Sequence, residues 1–491
     1  MNIAFKTNGP PPYVTKLLRN VLTIAAVSCA ISGVLANDIT GPSSSESPYL
    51  LRTQPGVVTK SILTVGDSVN LKPDGVTPYR MVGLPDGLGA FDNGDGTFTL
   101  LANHEVPDTE GIVREHGFAG AFVSKWTIDK GSLRVLHGED LMQNVFVWDC
   151  ASNAYVPLSA PASRFCSADL PELSAFYNPA SGLGYNGRIY MNGEETAEGR
   201  NFGHLMDGTS YELPWLGKFA HENSLANPAT GDKTVVVGLD DTSPRGQLYV
   251  YIGDKTTSAD PIEAAGLNNG NLYGIKVTGF PEENFDTGIP SGTPFTLHNL
   301  GDVHCTSGAD LETLSTTNGI TGFWRPEDGS WDPMHPQDFY FVTTASFTGA
   351  SRLWRLRFTD PANPDAGGTI DMLLNGTEGQ KMLDNITVTK RGEVVALEDV
   401  GGQEHLGKVW RYNIATGSFT MVAQHDPDRF TPGAPNFLTI DEESSGVIPM
   451  DEILGAGWYL LDVQAHYATD AELVEGGQFL ALHLPPGQGR K

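Results

Sequence analysis

The chain reads as an all-β protein, a six-bladed β-propeller with long inter-strand loop insertions. Six times a short apolar strand runs into a polar, usually acidic end. A second apolar run usually follows close behind, and Asn-Gly, Asp-Gly and Gly-Gly turns punctuate the chain while long amphipathic helical windows are nearly absent. The strand ends are Leu100–Glu105, Ile189–Glu195, Val235–Asp241, Phe339–Ser346, Val394–Asp399 and Trp458–His466. The clearest second strands are Gln247–Ile252, Arg352–Phe358, Lys408–Tyr412 and Gln478–Leu484. Asp95-Gly96, Asn186-Gly187, Arg391-Gly392 and Gly476-Gly477 each stand a few residues before a strand, where a tight turn is expected. If the units are blades around one axis, their polar ends converge in space. Four of those ends carry carboxylates and the other two carry Thr/Ser and Gln/His. A ring of carboxylates with no matching basic cluster is most simply explained by bound cations.

The 491 residues exceed one ordinary domain, which a propeller tolerates because each blade is a separate small sheet. The irregular spacing of the units excludes a strict short repeat and fits blades whose loops have grown, with an insertion between the third and fourth units. A net charge of −28 argues against nucleic acid as a partner, since a polyanion would be repelled. Lys6, Lys16 and Arg19 precede an apolar stretch from Val21 to Leu35, followed by Val34-x-Ala36. This is the pattern of a cleaved export signal over 1–36, giving a secreted or periplasmic protein without a membrane span after processing. Residues 37–60 read as a flexible lead-in and 61–491 as the propeller, with a monomer expected.

Past the signal three cysteines remain: Cys150, Cys166 and Cys305. Cys150 and Cys166 flank a short loop and are the preferred disulfide, which leaves Cys305 unpaired and buried. The alternative is that Cys166, in Arg164-Phe165-Cys166-Ser167, is a free thiolate ligand.

Several motifs carry chemistry. Asn103-His104-Glu105 ends the first repeated strand and Arg114-Glu115-His116-Gly117 follows it. Glu105 offers an oxygen ligand, His104 a metal ligand or a group to orient a leaving group, and Arg114 an anion clamp. Gly193-Glu194-Glu195 places two adjacent carboxylates at a strand end. Adjacent strand residues face opposite ways, so both can share one site only where the strand breaks into a loop. His221-Glu222-Asn223, Asp240-Asp241, Arg325-Pro326-Glu327-Asp328, Asp384-Asn385, Glu398-Asp399 and Glu443-Ser444-Ser445-Gly446 complete the set. Hard cations such as Ca²⁺ take six to eight oxygens, which such an inventory supplies from several blades. HExxH, CxxC, GxSxG and phosphate-cradling glycine loops are all absent from the sequence, so a metal-activated water fits better than a side-chain nucleophile.

With those residues in place, the chain resembles the PhoX-type alkaline phosphatases from about Gly83 to Leu484, with the motifs standing in the family's order. The resemblance implies a six-bladed propeller whose active site holds calcium, with Fe³⁺ in the best-understood members, and whose substrates are small phosphate esters. It implies Glu194, Glu195, Glu222 and Glu327 as metal ligands. Less directly it implies Glu105, Asp240, Asp241, Glu398, Asp399 and Glu443 as well, and Arg325, Arg114 and His104 are the candidate catalytic groups. One departure matters: the family typically carries Cys-Glu-Glu, with an iron-ligating cysteine, where this chain has Gly193-Glu194-Glu195. That puts the iron site in doubt more than the calcium sites. A non-catalytic calcium-stabilised interaction module is the runner-up reading, and a lactonase or other esterase on the same scaffold a third.

Overall fold

The computed structural model describes residues 38–487; the expected export signal lies outside the described residues. The protein is all-β, its longest helix among the described residues being Gly308–Asn318. No helix among them is long and apolar enough to cross a membrane.

Six strands organise the chain: β1 (Pro85–Asp92), β2 (Phe165–Asp169), β3 (His221–Ala226), β4 (Pro326–Trp331), β5 (Leu383–Val388) and β6 (Glu442–Pro449). Each pairs antiparallel with one of the apolar strands that the sequence marks out, starting with β1 against Thr97–His104 and ending with β6 against Trp458–Ala468. The six contact one another in a closed cycle, β1 on β2, β2 on β3, and so on until β6 meets β1. The apolar strands are therefore the second of each unit, and a more polar strand stands in front of every one. The third and fourth units merge into a nine-stranded sheet because Thr293–Gly301 pairs with Gly368–Leu374.

The segment read as a lead-in is partly strand. Val58–Thr64 pairs with Glu475–His483 and Leu50–Arg52 with Phe419–His425, so chain from before the first unit completes the last two sheets. Serine and proline on either side hide two short strands whose partners lie at the far end of the chain. Apolar side chains fill the spaces between neighbouring units, as where Val237, Leu239 and Val250 of the third meet Phe339, Phe341 and Trp354 of the fourth. Each such fully buried side chain contributes roughly 1.5–3 kcal/mol.

The disulfide joins Cys150 to Cys305, and Cys166 is free and buried. This overturns the preferred Cys150–Cys166 pairing, for a geometric reason. Cys166 lies in β2, at one edge of a six-stranded sheet, while Cys150 follows Asn144–Asp149, four strand positions away. At ~4.8 Å per strand that is about 19 Å, well beyond the ~7 Å limit for Cα atoms joined by a disulfide. The bond closes a span of 155 residues. Its loss is expected to cost up to ~5 kcal/mol in the loop-entropy model. Calorimetry of Cys150→Ser with and without a reductant checks this: the variant should melt well below the wild type and be insensitive to the reductant.

Candidate metal centre

One backbone device recurs in all six units. The carbonyls of Leu84, Arg164, Ala220, Arg325, Met382 and Asp441 accept from the N–H groups of Glu105, Glu195, Asp241, Thr344, Asp399 and His466, at 2.8–3.1 Å. Two residues beyond each acceptor stand Asp86, Cys166, Glu222, Glu327, Asp384 and Glu443. In the first five units the strand register slips across that residue, and in the sixth just after it. Such a bulge re-aims a side chain out of the ordinary alternation. Leu84, Arg164, Arg325 and Met382 adopt left-handed backbone, with φ between 43° and 55°. Non-glycine residues held there store roughly 1–3 kcal/mol of strain each, which fits a functional site. The result is two sets of six: one from the bulged strands β1–β6, one from the ends of their partners.

Three groups of ligand atoms lie within 4.8 Å of one another: Asp86, Glu105 and Cys166; Cys166, Glu195 and Glu222; Glu222, Glu327 and Asp384. Cys166 and Glu222 each belong to two groups, so the cluster is continuous. Cys166 Sγ lies 3.0 Å from Glu222 Oε2 and 3.7 Å from Asp86 Oδ2. Ser167 donates to Glu222 Oε1 at 2.7 Å, and Gln464 Nε2 donates to Asp86 and Glu105 at 2.9 and 3.0 Å.

Positive charge enters from two arginines. Arg164 Nη2 bridges Glu105 and Glu195 at 2.6 Å to each. Arg325 holds Asp241 through two bonds, at 2.8 and 2.6 Å, and reaches Glu327 at 3.1 Å. Among the described residues Asp86, Glu222 and Asp384 form no ion pair. Burial, and then the neighbouring carboxylates, push the acids of Asp86, Glu195, Glu327 and Asp384 well above the usual range, and burial pushes Glu222 up to about 8. The Cys166 thiol is raised for the same two reasons. Asp86 Oδ1 is buried without a hydrogen-bond donor. A crowded, underpaired set of oxygens with one sulfur fits bound cations: hard ones on the carboxylates and a softer one at the thiolate.

The alternation of strand residues divides the paired candidates. Glu195, Asp241 and Asp399 belong to the recurring set, whereas Glu194, Asp240 and Glu398 face their own sheets. Glu194 is held by Arg200 at 2.7 Å and by Ser163 N–H, Asp240 accepts from Thr242, and Glu398 accepts from Trp410 Nε1 at 2.8 Å. His104 likewise turns from the cluster, its ring nitrogens 3.0 Å from Gly83 O and 2.9 Å from Ser124 Oγ, and burial pulls its pKa down to about 4. Arg114 pairs with Asp140 at 2.5 Å and lies 4.0 Å over the Phe122 ring, away from the acidic groups. Glu443 belongs to the recurring set and accepts from Ser445 Oγ and Gln464 Nε2. The sequence motifs do not single out Asp86 and Asp384 as ligands, and they offer Cys166 only as an alternative. A carboxylate at the same backbone step in five units, with Cys166 in the second, is the shared signal, but hairpin loops of unequal length hide it.

Comparison with solved structures finds Pseudomonas fluorescens PhoX in complex with vanadate, a transition-state analogue. Its TM-score is 0.63 at 11% identity, with 87% of this chain and 95% of that chain covered. The fold is PhoX-like. The Burkholderia pseudomallei BP39L lectin has a TM-score of 0.35 at 10% identity, covering 83% of this chain and 98% of that one. Chaetomium thermophilum Sqt1, bound to the N-terminus of ribosomal protein L10, also reaches 0.35, at 8% identity and with 78% and 95% covered. Both lie too far for argument. No family model and no curated protein matches the chain. Within the PhoX-like fold, Gly193 has its own physical reason: a Cβ there would stand 2.3 Å from His221 Cβ, so a cysteine at 193 has no room.

Proposed function

We propose that the protein is an exported, metal-dependent phosphoric-ester hydrolase, with its metals at the centre of a six-bladed β-propeller. The observation that carries this reading is the continuous group of buried carboxylates around one free thiol. The cycle of contacts among β1–β6 supports six blades, and the PhoX-like fold supports a phosphate ester as substrate. The disulfide and the apolar N-terminal stretch support export.

Glu105, Asp86, Glu195, Glu222, Glu327 and Asp384 would hold Ca²⁺, with Glu443 and Asp399 beside them. Cys166 supplies from β2 the thiolate that Gly193 lacks, and so makes Fe³⁺ a fitting second metal. Bound cations supply the Lewis acidity that phosphoryl transfer needs. Arg164 and Arg325 stand two residues before Cys166 and Glu327, and each is positioned by carboxylates. Their remaining donors are suited to phosphate oxygens, which a guanidinium holds in fixed geometry. Arg325 is kept fully charged, first by Glu327 and then by Asp241. The same ion pairs favour the second reading, a non-catalytic cation-stabilised module, since they occupy much of both arginines.

Cys166→Ser separates the metals. Iron at roughly one or two atoms per chain, lost in the variant together with most phosphomonoesterase activity, is the expected result. A wild type with calcium, no iron and full activity would remove Cys166 from the site.

A further inference from the structure

Asp462 breaks the pattern of the six units. It lies four residues before His466 on the partner strand of β6. The equivalent positions in the other units are Leu101, Met191, Val237, Tyr340 and Val395, all fully buried. Asp462 is buried just as completely, and neither of its carboxylate oxygens has a hydrogen-bond partner. An uncompensated buried carboxylate is costly, so it must hold a proton or a cation.

Its surroundings favour the cation. Gln464, two residues on and therefore on the same face, is also fully buried. Its Nε2 donates to Asp86 Oδ2 at 2.9 Å, while its Oε1 has no donor, and Asp86 Oδ1 has none either. Four orphaned oxygens on three side chains thus lie on strands that meet where the sixth unit packs on the first. Gly446 permits the close approach: a Cβ there would stand 2.7 Å from both Asp462 Oδ2 and the Asp86 carbonyl oxygen.

We propose that Asp462, Asp86 Oδ1 and Gln464 Oε1 hold a further cation, additional to the three groups of the metal centre and sharing Asp86 with one of them. The donor set is oxygen only and combines carboxylates with a carbonyl, as calcium prefers. Its place at the junction where the last unit meets the first makes it a clamp on ring closure. The inference touches the proposed centre through Asp86 and through Gln464, whose Nε2 also donates to Glu105.

Elemental analysis of the full-length protein, dialysed against calcium, tests it in the wild type, Asp462→Asn, Asp462→Leu and Glu222→Gln. Both Asp462 variants should hold about one calcium fewer per chain than the wild type. Asp462→Leu installs the residue type of the sibling strands, so it should stay folded, with a melting temperature that responds less to added calcium. Glu222→Gln should keep the Asp462 cation while losing metal at the centre. Wild-type calcium content in both Asp462 variants would mean that Asp462 carries a proton, and would overturn the inference alone. A wild type that binds no calcium would overturn it together with the proposed function.

Discussion

Stripped of metal, the protein is expected to melt at a lower temperature, and to lose more stability at pH 8 than at pH 5. Cations that bind only the folded chain stabilise it by about 2.7 kcal/mol per site at a hundredfold excess over Kd, and a chelator removes that contribution. The carboxyl groups of Asp86, Glu195, Glu327 and Asp384 are raised well above their ordinary values by burial and by one another, and Glu222 by burial to about 8. In the metal-free protein these groups stay protonated when folded, at pH values where the unfolded chain has released its protons. From about pH 4, the ordinary carboxylate range, to about 8, the folded state therefore binds more protons, and stability falls as pH rises. Below that window the acids are neutral in both states and the penalty disappears. Calorimetry in excess EDTA across this range, followed by calcium re-addition, measures the effect. A melting temperature unchanged after verified metal removal would speak against the shared centre.

Glu222→Gln is expected to be the most damaging single change to the centre. Glu222 belongs to two of the three groups, so its loss weakens cation binding both beside Cys166 and Glu195 and beside Glu327 and Asp384. Metal content should fall at both, and phosphomonoesterase activity should drop by more than about 100-fold, beyond what loss of a supporting residue typically costs. Glu194→Gln provides the contrast. Glu194 is spent on Arg200 and Ser163 N–H, so this variant should lose ~1–3 kcal/mol of stability and keep its metal. Metal loss in Glu194→Gln equal to that in Glu222→Gln would contradict the placing of Glu194 on its own sheet and of Glu195 alone in the metal-ligand groups.

Much of this arrangement is legible in the sequence because one of the two recurring sets of residues ends strongly apolar strands. Glu105, Glu195, Asp241 and Asp399 follow runs that only a buried strand explains, and alternation already limits each acidic pair to one residue per face. The strands that carry Asp86, Cys166, Glu222, Glu327, Asp384 and Glu443 are harder to find. Segments such as PEDGSW and LDNITV show no clear apolar alternation, because a bulge interrupts each strand and residues such as Asp328 and Asn385 pair with other buried polar groups. His104 and Arg114 mislead for a related reason. Their residue types suit catalysis, but His104 is tied to Gly83 and Ser124 and Arg114 to Asp140, partners that no local spacing announces. The disulfide follows the same rule: nearness in sequence across a loop says little when the two ends lie four strand positions apart in one sheet.

The most direct test is elemental analysis of protein purified from its native compartment, paired with hydrolysis of a simple phosphomonoester before and after chelation. The predicted result is several calcium atoms per chain, iron that depends on Cys166, and hydrolysis that is abolished by chelation and restored by the same metals. A folded protein carrying those metals but with no phosphoester hydrolysis would contradict the enzymatic reading and leave a cation-stabilised interaction module in its place.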